Sequence, residues 1–141
     1  MESIIKQYRQ LFSQRGTFSF SHGQRIRDVV RNEEVPNAYG VYIVSGPAGD
    51  ILYIGRSGKM KNDGSFQGQA LRGRITNRQG RLSRQQLFEK ILAERQLNSL
   101  LFEWFTTFNE MNPVLACLAE SQLLQSYFDL HGNLPTYNKQ A

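Results

Sequence analysis

The sequence predicts an α+β fold, a small α/β/α domain in which helices flank a three-stranded antiparallel sheet. Two short runs rich in Val, Ile and Tyr, 39–44 and 51–55, flank turn-forming residues and are typical of a β-hairpin. Helix-spaced apolar positions occur on both sides of that hairpin, and a third run of strand formers lies at 100–108. Helices packed on a sheet bury both patterns economically.

Two helices are predicted ahead of the hairpin. Apolar residues spaced by three and four predict an amphipathic helix from Met1 to about Gln14. Residues 17–20 alternate between polar and apolar, which suits a short extended piece. Ser21 has the side chain of a helix N-cap, and the apolar positions after it predict a second helix that ends near Glu34.

Three further helices are predicted after the hairpin. The polar stretch 59–69 contains an Asn-Asp-Gly turn signal and predicts a loop, with its mobility left open. A short basic helix is predicted over 71–79. Ser83 should then cap an amphipathic helix. Asn112 and Pro113 are typical of a helix start, so the last helix should begin there and run almost to Gly132.

Length and composition limit the kind of protein. At 141 residues with 40% apolar content, the chain fits one globular domain with a modest core. No apolar run approaches the roughly 20 residues that cross a bilayer, and no signal-peptide pattern opens the sequence. We therefore expect a cytoplasmic location and no membrane partner. One cysteine and two histidines exclude an internal disulfide and effectively exclude a Cys/His metal site.

Positive charge is concentrated after the hairpin. Between Arg56 and Arg84, eight Lys and Arg residues stand against Asp63 alone, a net +7, so the rest of the +5 chain carries −2. Such a concentration favours a polyanionic partner, with nucleic acid as the first candidate, and a solvated face is the alternative. The candidate nucleic-acid-binding residues are Arg56, Lys59, Arg72, Arg78 and Arg81.

Glu120 is unusual because it falls among apolar residues on the last predicted helix. At about 100° per residue, Pro113, Ala116, Cys117, Leu123, Leu124 and Tyr127 lie within about 60° of it. A carboxylate there needs an ion pair, a proton or a metal ion. A buried pair with an arginine, a glutamate at the edge of the face and a Mg²⁺ ligand all remain open. Cys117 is predicted to be a buried apolar residue.

Five short segments, in this order, resemble motifs of the GIY-YIG nuclease superfamily. They are Gly40-Val41-Tyr42, Tyr53-Ile54-Gly55, Leu71-Arg72-Gly73-Arg74-Ile75, Ala119-Glu120-Ser121-Gln122-Leu123-Leu124 and Pro135-Thr136-Tyr137-Asn138. One such match is weak, but five in order are specific. The resemblance implies one domain over 1–141, with a core at 39–138 preceded by a helical extension at 1–38.

The resemblance also implies an activity, a metal-dependent endonuclease that hydrolyses phosphodiester bonds of DNA, with RNA as an alternative. Glu120 would hold one divalent ion, Mg²⁺ or Mn²⁺, and Arg74 would bind the phosphate and stabilise the transition state. Tyr42 or Tyr53 would orient or deprotonate the attacking water, with Tyr42 preferred as the base. Asn138 would fix the geometry of the site.

The sequence departs from the family pattern in two places near the predicted site. Arg56 follows Gly55 directly where many members have a lysine nearby, so Lys59 would have to substitute if a lysine is needed. Arg78 stands where some members carry His or Tyr, and we expect it to bind phosphate. Arg72 competes with Arg74 for the essential role, but the spacing from the preceding leucine favours Arg74.

Two other functions remain open at this stage. The first is a catalytically inactive nucleic-acid-binding module on the same scaffold, which would not need Glu120. The second is a partner-binding domain in which the tyrosines and Glu120 belong to the core, although the +7 segment argues against it. Nicking at single sites would fit a monomer, whereas double-strand cleavage with one active site per chain would fit a homodimer.

Overall fold

Helices and short strands alternate along the chain. The computed structural model describes residues 1–79 and 82–141, and residues 78, 79 and 82 by their backbone alone. In chain order the elements are α1 Glu2–Leu11, β1 Arg15–Ser21, α2 Ile26–Asn32, β2 Gly40–Ser45, β3 Ile51–Arg56, β4 Lys59–Met60, β5 Phe66–Gln67, α3 Leu71–Thr76, β6 Arg78–Gln79, β7 Leu82–Ser83, α4 Arg84–Arg95, β8 Ser99–Thr106 and α5 Ala116–His131.

The main sheet has four antiparallel strands in the order β1-β8-β2-β3, so the prediction of three strands is wrong by one. The additional strand is β1, which pairs with β8 along its whole length and buries Phe18 and Phe20 on one face. Ser21 therefore ends a strand instead of capping a helix, and α2 begins at Ile26. Residues 1–38 supply a strand of the sheet as well as two helices.

The predicted hairpin is confirmed. In β2 and β3, Tyr42 lies opposite Gly55 and Val44 lies opposite Tyr53, with a register shift after Val44. Because β2 also pairs with β8, it is an interior strand, and β3 forms one edge of the sheet.

Helices cover both faces of the sheet, as an α/β/α arrangement requires. One face packs against α2, α3 and α4 through residues that include Val30, Ile75 and Phe88. The other face packs against α1 and α5 through residues that include Phe12 and Leu123. Adjacent residues of a strand point to opposite faces, so in β2 Tyr42 and Val44 enter one layer and Val41 and Ile43 enter the other.

The helix starts were predicted with mixed success. Ser83 caps α4 as expected, and a full capping box forms because Ser83 and Gln86 bond each other's backbone N–H groups. The last helix begins at Ala116, not at Pro113, because Pro113 forms an isolated bridge with Phe108. The following Val114 N–H also donates to the carbonyl of Thr107, which keeps this segment extended.

The stretch predicted as a loop contains the small β4–β5 hairpin. Phe66 of β5 stacks on Tyr39 with ring centroids 4.3 Å apart and meets Phe108 edge-on at 5.0 Å. These contacts join the hairpin to the segments just before β2 and just after β8. Within the described part of the chain, no helix combines the length and apolarity needed to cross a membrane.

Candidate functional site

The last residues of the chain lie along the outer edge of β3. The Asn138 side chain accepts a hydrogen bond from the N–H of Ile54 at 2.8 Å and donates one to the carbonyl of Ile54 at 2.8 Å. The N–H of Tyr137 donates to the carbonyl of Leu52 at 3.0 Å. The amide of Asn138 thus takes the place of a neighbouring strand and fixes the backbone at the centre of the segment Tyr53-Ile54-Gly55.

Tyr42 and Tyr53 lie side by side on one face of the sheet, as the hairpin predicted. Their ring centroids are 5.9 Å apart. The ring of Tyr42 lies over Gly55, where an added Cβ would come within 2.5 Å of ring carbons. This close approach explains why a glycine follows Ile54.

The two tyrosines differ sharply in access to solvent. Tyr42 is fully buried, and its hydroxyl has no hydrogen-bond partner among the described residues, whereas Tyr53 is half-buried. Burial raises the pKa of Tyr42 far above its ordinary value, Tyr53 adds to this rise, and Arg84 and Arg74 oppose it. The preference for Tyr42 as the base is therefore not supported by its surroundings, and Tyr53 is the tyrosine that water can reach.

Arg84 is a site residue that the sequence reasoning missed. It is 5% exposed, its guanidinium donates to the Tyr53 hydroxyl at 3.3 Å, and the same group lies 5.7 Å from the centre of the Tyr53 ring. Its Nε has no hydrogen-bond partner among the described residues. Arg84 is the first residue of α4, where the helix dipole disfavours a positive charge. An arginine at this unfavourable position is the feature of the sequence that could have indicated a role in the site.

Glu120 reaches the site from α5, on the opposite side of the sheet from the two tyrosine rings. Its side chain is 17% exposed, and one carboxylate oxygen lies 3.5 Å from Nε of Arg56. Burial raises the pKa of Glu120, and the guanidiniums of Arg56 and Arg74 partly offset that rise. The ion pair with an arginine, one of the alternatives that the sequence left open, is present.

The buried face of α5 differs from the predicted one. Its buried residues are Ala116, Ala119, Leu123 and Leu124. Cys117 is exposed, so the prediction of a buried cysteine is wrong. Since the buried positions are centred on the Ala119–Leu123 side, Glu120 lies at the margin of the apolar face and not at its middle.

Arg74 connects the two groups electrostatically. It is close enough to lower the pKa of both Tyr42, on one side of the sheet, and Glu120, on the other. Its position in α3 therefore brings it to the edge of β3, where the two layers meet. Arg72, its competitor, instead donates from Nε to the carbonyl of Val35 at 2.9 Å, which favours Arg74 as the site arginine.

An open basic hollow lies next to the Arg56–Glu120 pair. It has a volume of about 310 Å³ and is lined by Arg56 and Arg74, by Lys59, and by residues of the 58–69 segment. Volumes near 300 Å³ are at the small end of ligand pockets. Of the other predicted nucleic-acid-binding residues, Arg72 does not line the hollow, Arg81 lies outside the described residues, and the side chain of Arg78 is also outside them.

The donor set suits a metal ion only if the substrate contributes ligands. The described residues include no group of three or more His, Cys, Asp or Glu side chains that could hold an ion. Mg²⁺, however, is commonly bound by one or two carboxylates together with water and substrate phosphates. Glu120 beside a basic hollow fits that shared arrangement, and a cage made by the protein alone is not available among the described residues.

No protein-family model, no curated protein and no solved structure matches this chain. A function must therefore be argued from the chain's own residues.

Proposed function

We propose that this chain is a metal-dependent endonuclease that hydrolyses phosphodiester bonds of DNA. The observation that carries the proposal is the ion pair of Glu120 with Arg56, whose side chain lines an open basic hollow together with Arg74. A half-buried carboxylate and two guanidiniums are the groups that a bound phosphate and its counter-ion require.

Each residue has a distinct part in the proposed reaction. Arg74 neutralises the nonbridging oxygens and stabilises the charge that develops on them. Arg56 does the same once the phosphate has displaced Glu120 as its partner. Glu120 would hold the divalent ion together with the substrate, and the ion would supply Lewis-acid chemistry and lower the pKa of bound water. Tyr53, held by Arg84, orients the water that attacks phosphorus. That water forms the new P–O bond and gives a proton to solvent, and the 3′ or 5′ oxygen leaves as the old P–O bond breaks and takes up a proton from solvent.

Arg56 must exchange Glu120 for the phosphate when substrate binds. In the free protein, Arg56 neutralises Glu120 at 3.5 Å, a separation long for a charge-assisted hydrogen bond. A phosphate in the hollow offers Arg56 a second anion, and the carboxylate released from it becomes available to the metal ion. Binding of nucleic acid and binding of metal should therefore strengthen each other.

The test is nicking of supercoiled plasmid in Mg²⁺ or in chelator, with wild type, Glu120→Gln and Arg74→Ala. We expect nicking that requires the metal and falls by about 10²–10³-fold in either variant, the usual loss when one charge-stabilising group is removed. Glu110→Gln and Arg27→Ala, both at exposed positions, are matched controls that should cut like wild type. Equal nicking by all five proteins would refute the assignment of these residues.

A nucleic-acid-binding module without catalysis is the second candidate. Two features favour this function. The Tyr42 hydroxyl is buried, and Glu120 is already paired with Arg56. Salt-sensitive DNA binding with no cleavage in Mg²⁺ or Mn²⁺ would identify this function.

A further inference from the structure

The β4–β5 hairpin forms one wall of the basic hollow. Lys59 and Gln67, which pair across the hairpin, both line the hollow, as does Gln69 just beyond it. Arg56 at the end of β3 and Arg74 of α3 also line the hollow. The β3 and α3 residues therefore contribute guanidiniums, and the hairpin segment contributes one ammonium group and two side-chain amides.

This hairpin wall is anchored to the rest of the fold. Phe66, at the centre of the anchor, is stacked on Tyr39 and meets Phe108 edge-on. Gly58, at the foot of the hairpin, has φ +71°, and a Cβ there would come within 2.3 Å of the Tyr39 ring. Because the anchor is aromatic and the foot is closely packed, the wall has a defined position relative to Arg74.

The chemistry of these two sets of residues suits the two ends of a nucleotide. Guanidiniums bind phosphate oxygens. Glutamine amides carry both a donor and an acceptor, which is the pattern needed to bind the edge of a base. Gln67 and Gln69 are both exposed and both line the hollow.

The size of the hollow limits how much of a nucleic acid can enter. About 310 Å³ is on the scale of a single small ligand, and a base pair with its two backbones contains two nucleotides. A base that reaches the amides must therefore have left its stack, as bases do in single strands and in flipped-out positions.

We propose that the hollow is a subsite for one unpaired nucleotide, with its phosphate on Arg56 and Arg74 and its base against Gln67 and Gln69. The inference rests on the proposed function, because it takes the polyanion to be nucleic acid. It adds the substrate class: the chain acts on nucleotides that are single-stranded or locally unpaired, in preference to continuous duplex.

The test is equilibrium binding in chelator, where no cleavage occurs. A short fluorescein-labelled single strand and a blunt duplex of the same sequence serve as probes, measured by anisotropy. In the Gln67→Ala/Gln69→Ala variant we expect single-strand affinity to fall about tenfold and duplex affinity to stay within about twofold. Gln7→Ala/Gln10→Ala, at exposed positions of α1, is the matched control and should change neither.

A hairpin deletion provides an independent variant. A Cβ on Gly68 would lie 3.6 Å from the Cα of Gly58, so the two glycines are neighbours and can be joined after residues 59–67 are removed. This deletion should lose at least as much single-strand affinity as the double glutamine variant. If the deletion does not fold, the double variant decides alone.

The outcomes separate the subsite from the function. Wild-type binding to the duplex that equals or exceeds binding to the single strand, or equal losses on both probes in the glutamine variant, would overturn the subsite and leave the nuclease proposal standing. No binding of wild type to either probe at low salt would overturn both.

Discussion

Nε of Arg56 lies 3.5 Å from Oε1 of Glu120, so the carboxylate proposed to hold the metal ion is paired with a residue that also lines the basic hollow. The pair joins the end of an edge strand to a helix on one face of the sheet. Since each side chain is partly exposed, 32% for Arg56 and 17% for Glu120, a ligand can reach both.

Arg56→Gln should move the acidic limb of the cleavage rate to higher pH. The Arg56 guanidinium holds down the pKa of Glu120 against the effect of burial, so its removal raises that pKa further. The proposed reaction needs the ionised carboxylate, and a higher pKa means that ionisation requires a higher pH. Rate–pH profiles of wild type and Arg56→Gln measure the shift.

The control for this profile is Arg31→Gln, which removes an exposed arginine paired with Asp28 on α2. Its acidic limb should coincide with that of wild type. If the acidic limbs of the rate–pH profiles coincide for Arg56→Gln and wild type, the electrostatic coupling of Arg56 to Glu120 is contradicted.

Glu120→Gln should stabilise the fold at neutral pH while it reduces cleavage. The pKa of Glu120 is raised above its ordinary value of 4.5, so the folded state disfavours the ionised form. That penalty is present above the folded pKa and disappears as pH falls below 4.5. Glutamine has the same shape without the charge, and a gain on the order of 1 kcal/mol is typical when a functional site is relieved in this way.

Urea unfolding at pH 7 and at pH 3.5 to 4 measures this gain, which should be present at the higher pH and small at the lower one. Glu110→Gln, at an exposed position, should give no difference at either pH. A loss of stability in Glu120→Gln at neutral pH would mean that its pairing with Arg56 outweighs the cost of burial.

Tyr53→Phe should reduce cleavage much more than Tyr42→Phe. Each change removes one hydroxyl and keeps the ring, but only the Tyr53 hydroxyl is held by Arg84, and its side chain is half-buried where that of Tyr42 is fully buried. The Tyr42 hydroxyl is buried without a partner among the described residues, so its loss should leave stability equal or improved. Cleavage rates, with unfolding curves for both variants, provide the comparison. The opposite order of rates would restore Tyr42 as the base.

Local signals predicted the parts of the fold that depend on neighbours in sequence. The β2–β3 hairpin follows from two strand-forming runs around one turn, and the start of α4 follows from Ser83 with Gln86 three residues later. The sequence predicted an extended piece at 17–20 but not its place in the sheet, because its partner β8 lies 78 to 90 residues away and a short alternating stretch does not reveal a distant partner. Ser21 misled for the same reason, since its side chain suits a cap but pairing with β8 decides its conformation.

The site was predictable in composition and less so in geometry. Glu120 stood out because a carboxylate among apolar helix positions demands a partner, and Arg56 is that partner. The burial of Tyr42 could not be predicted, because it depends on the layer that α4 builds over the hairpin. The motif resemblance also gave no indication of Arg84, whose guanidinium reaches Tyr53 from a helix that begins 28 residues after Arg56.

Asn138→Ala should destabilise the fold by about 1–2 kcal/mol, the usual net worth of two hydrogen bonds to a partly buried backbone. Both bonds go to Ile54, so the loss should fall on the edge of β3 next to the site, and cleavage should decline with it. Asn133→Ala, at an exposed position close by, is the control and should be neutral. Urea unfolding and nicking rates measure the two effects.

Asn138→Asp distinguishes hydrogen bonding from simple loss of packing. An ionised aspartate still accepts from the N–H of Ile54, but it cannot donate to the Ile54 carbonyl and instead places a negative charge against that oxygen. At neutral pH this variant should therefore be no more stable than Asn138→Ala. Below the pKa of the carboxyl group, the protonated acid can donate again, and stability relative to Asn138→Ala should recover. A constant difference between the two variants across pH would show that Asn138 acts through shape alone.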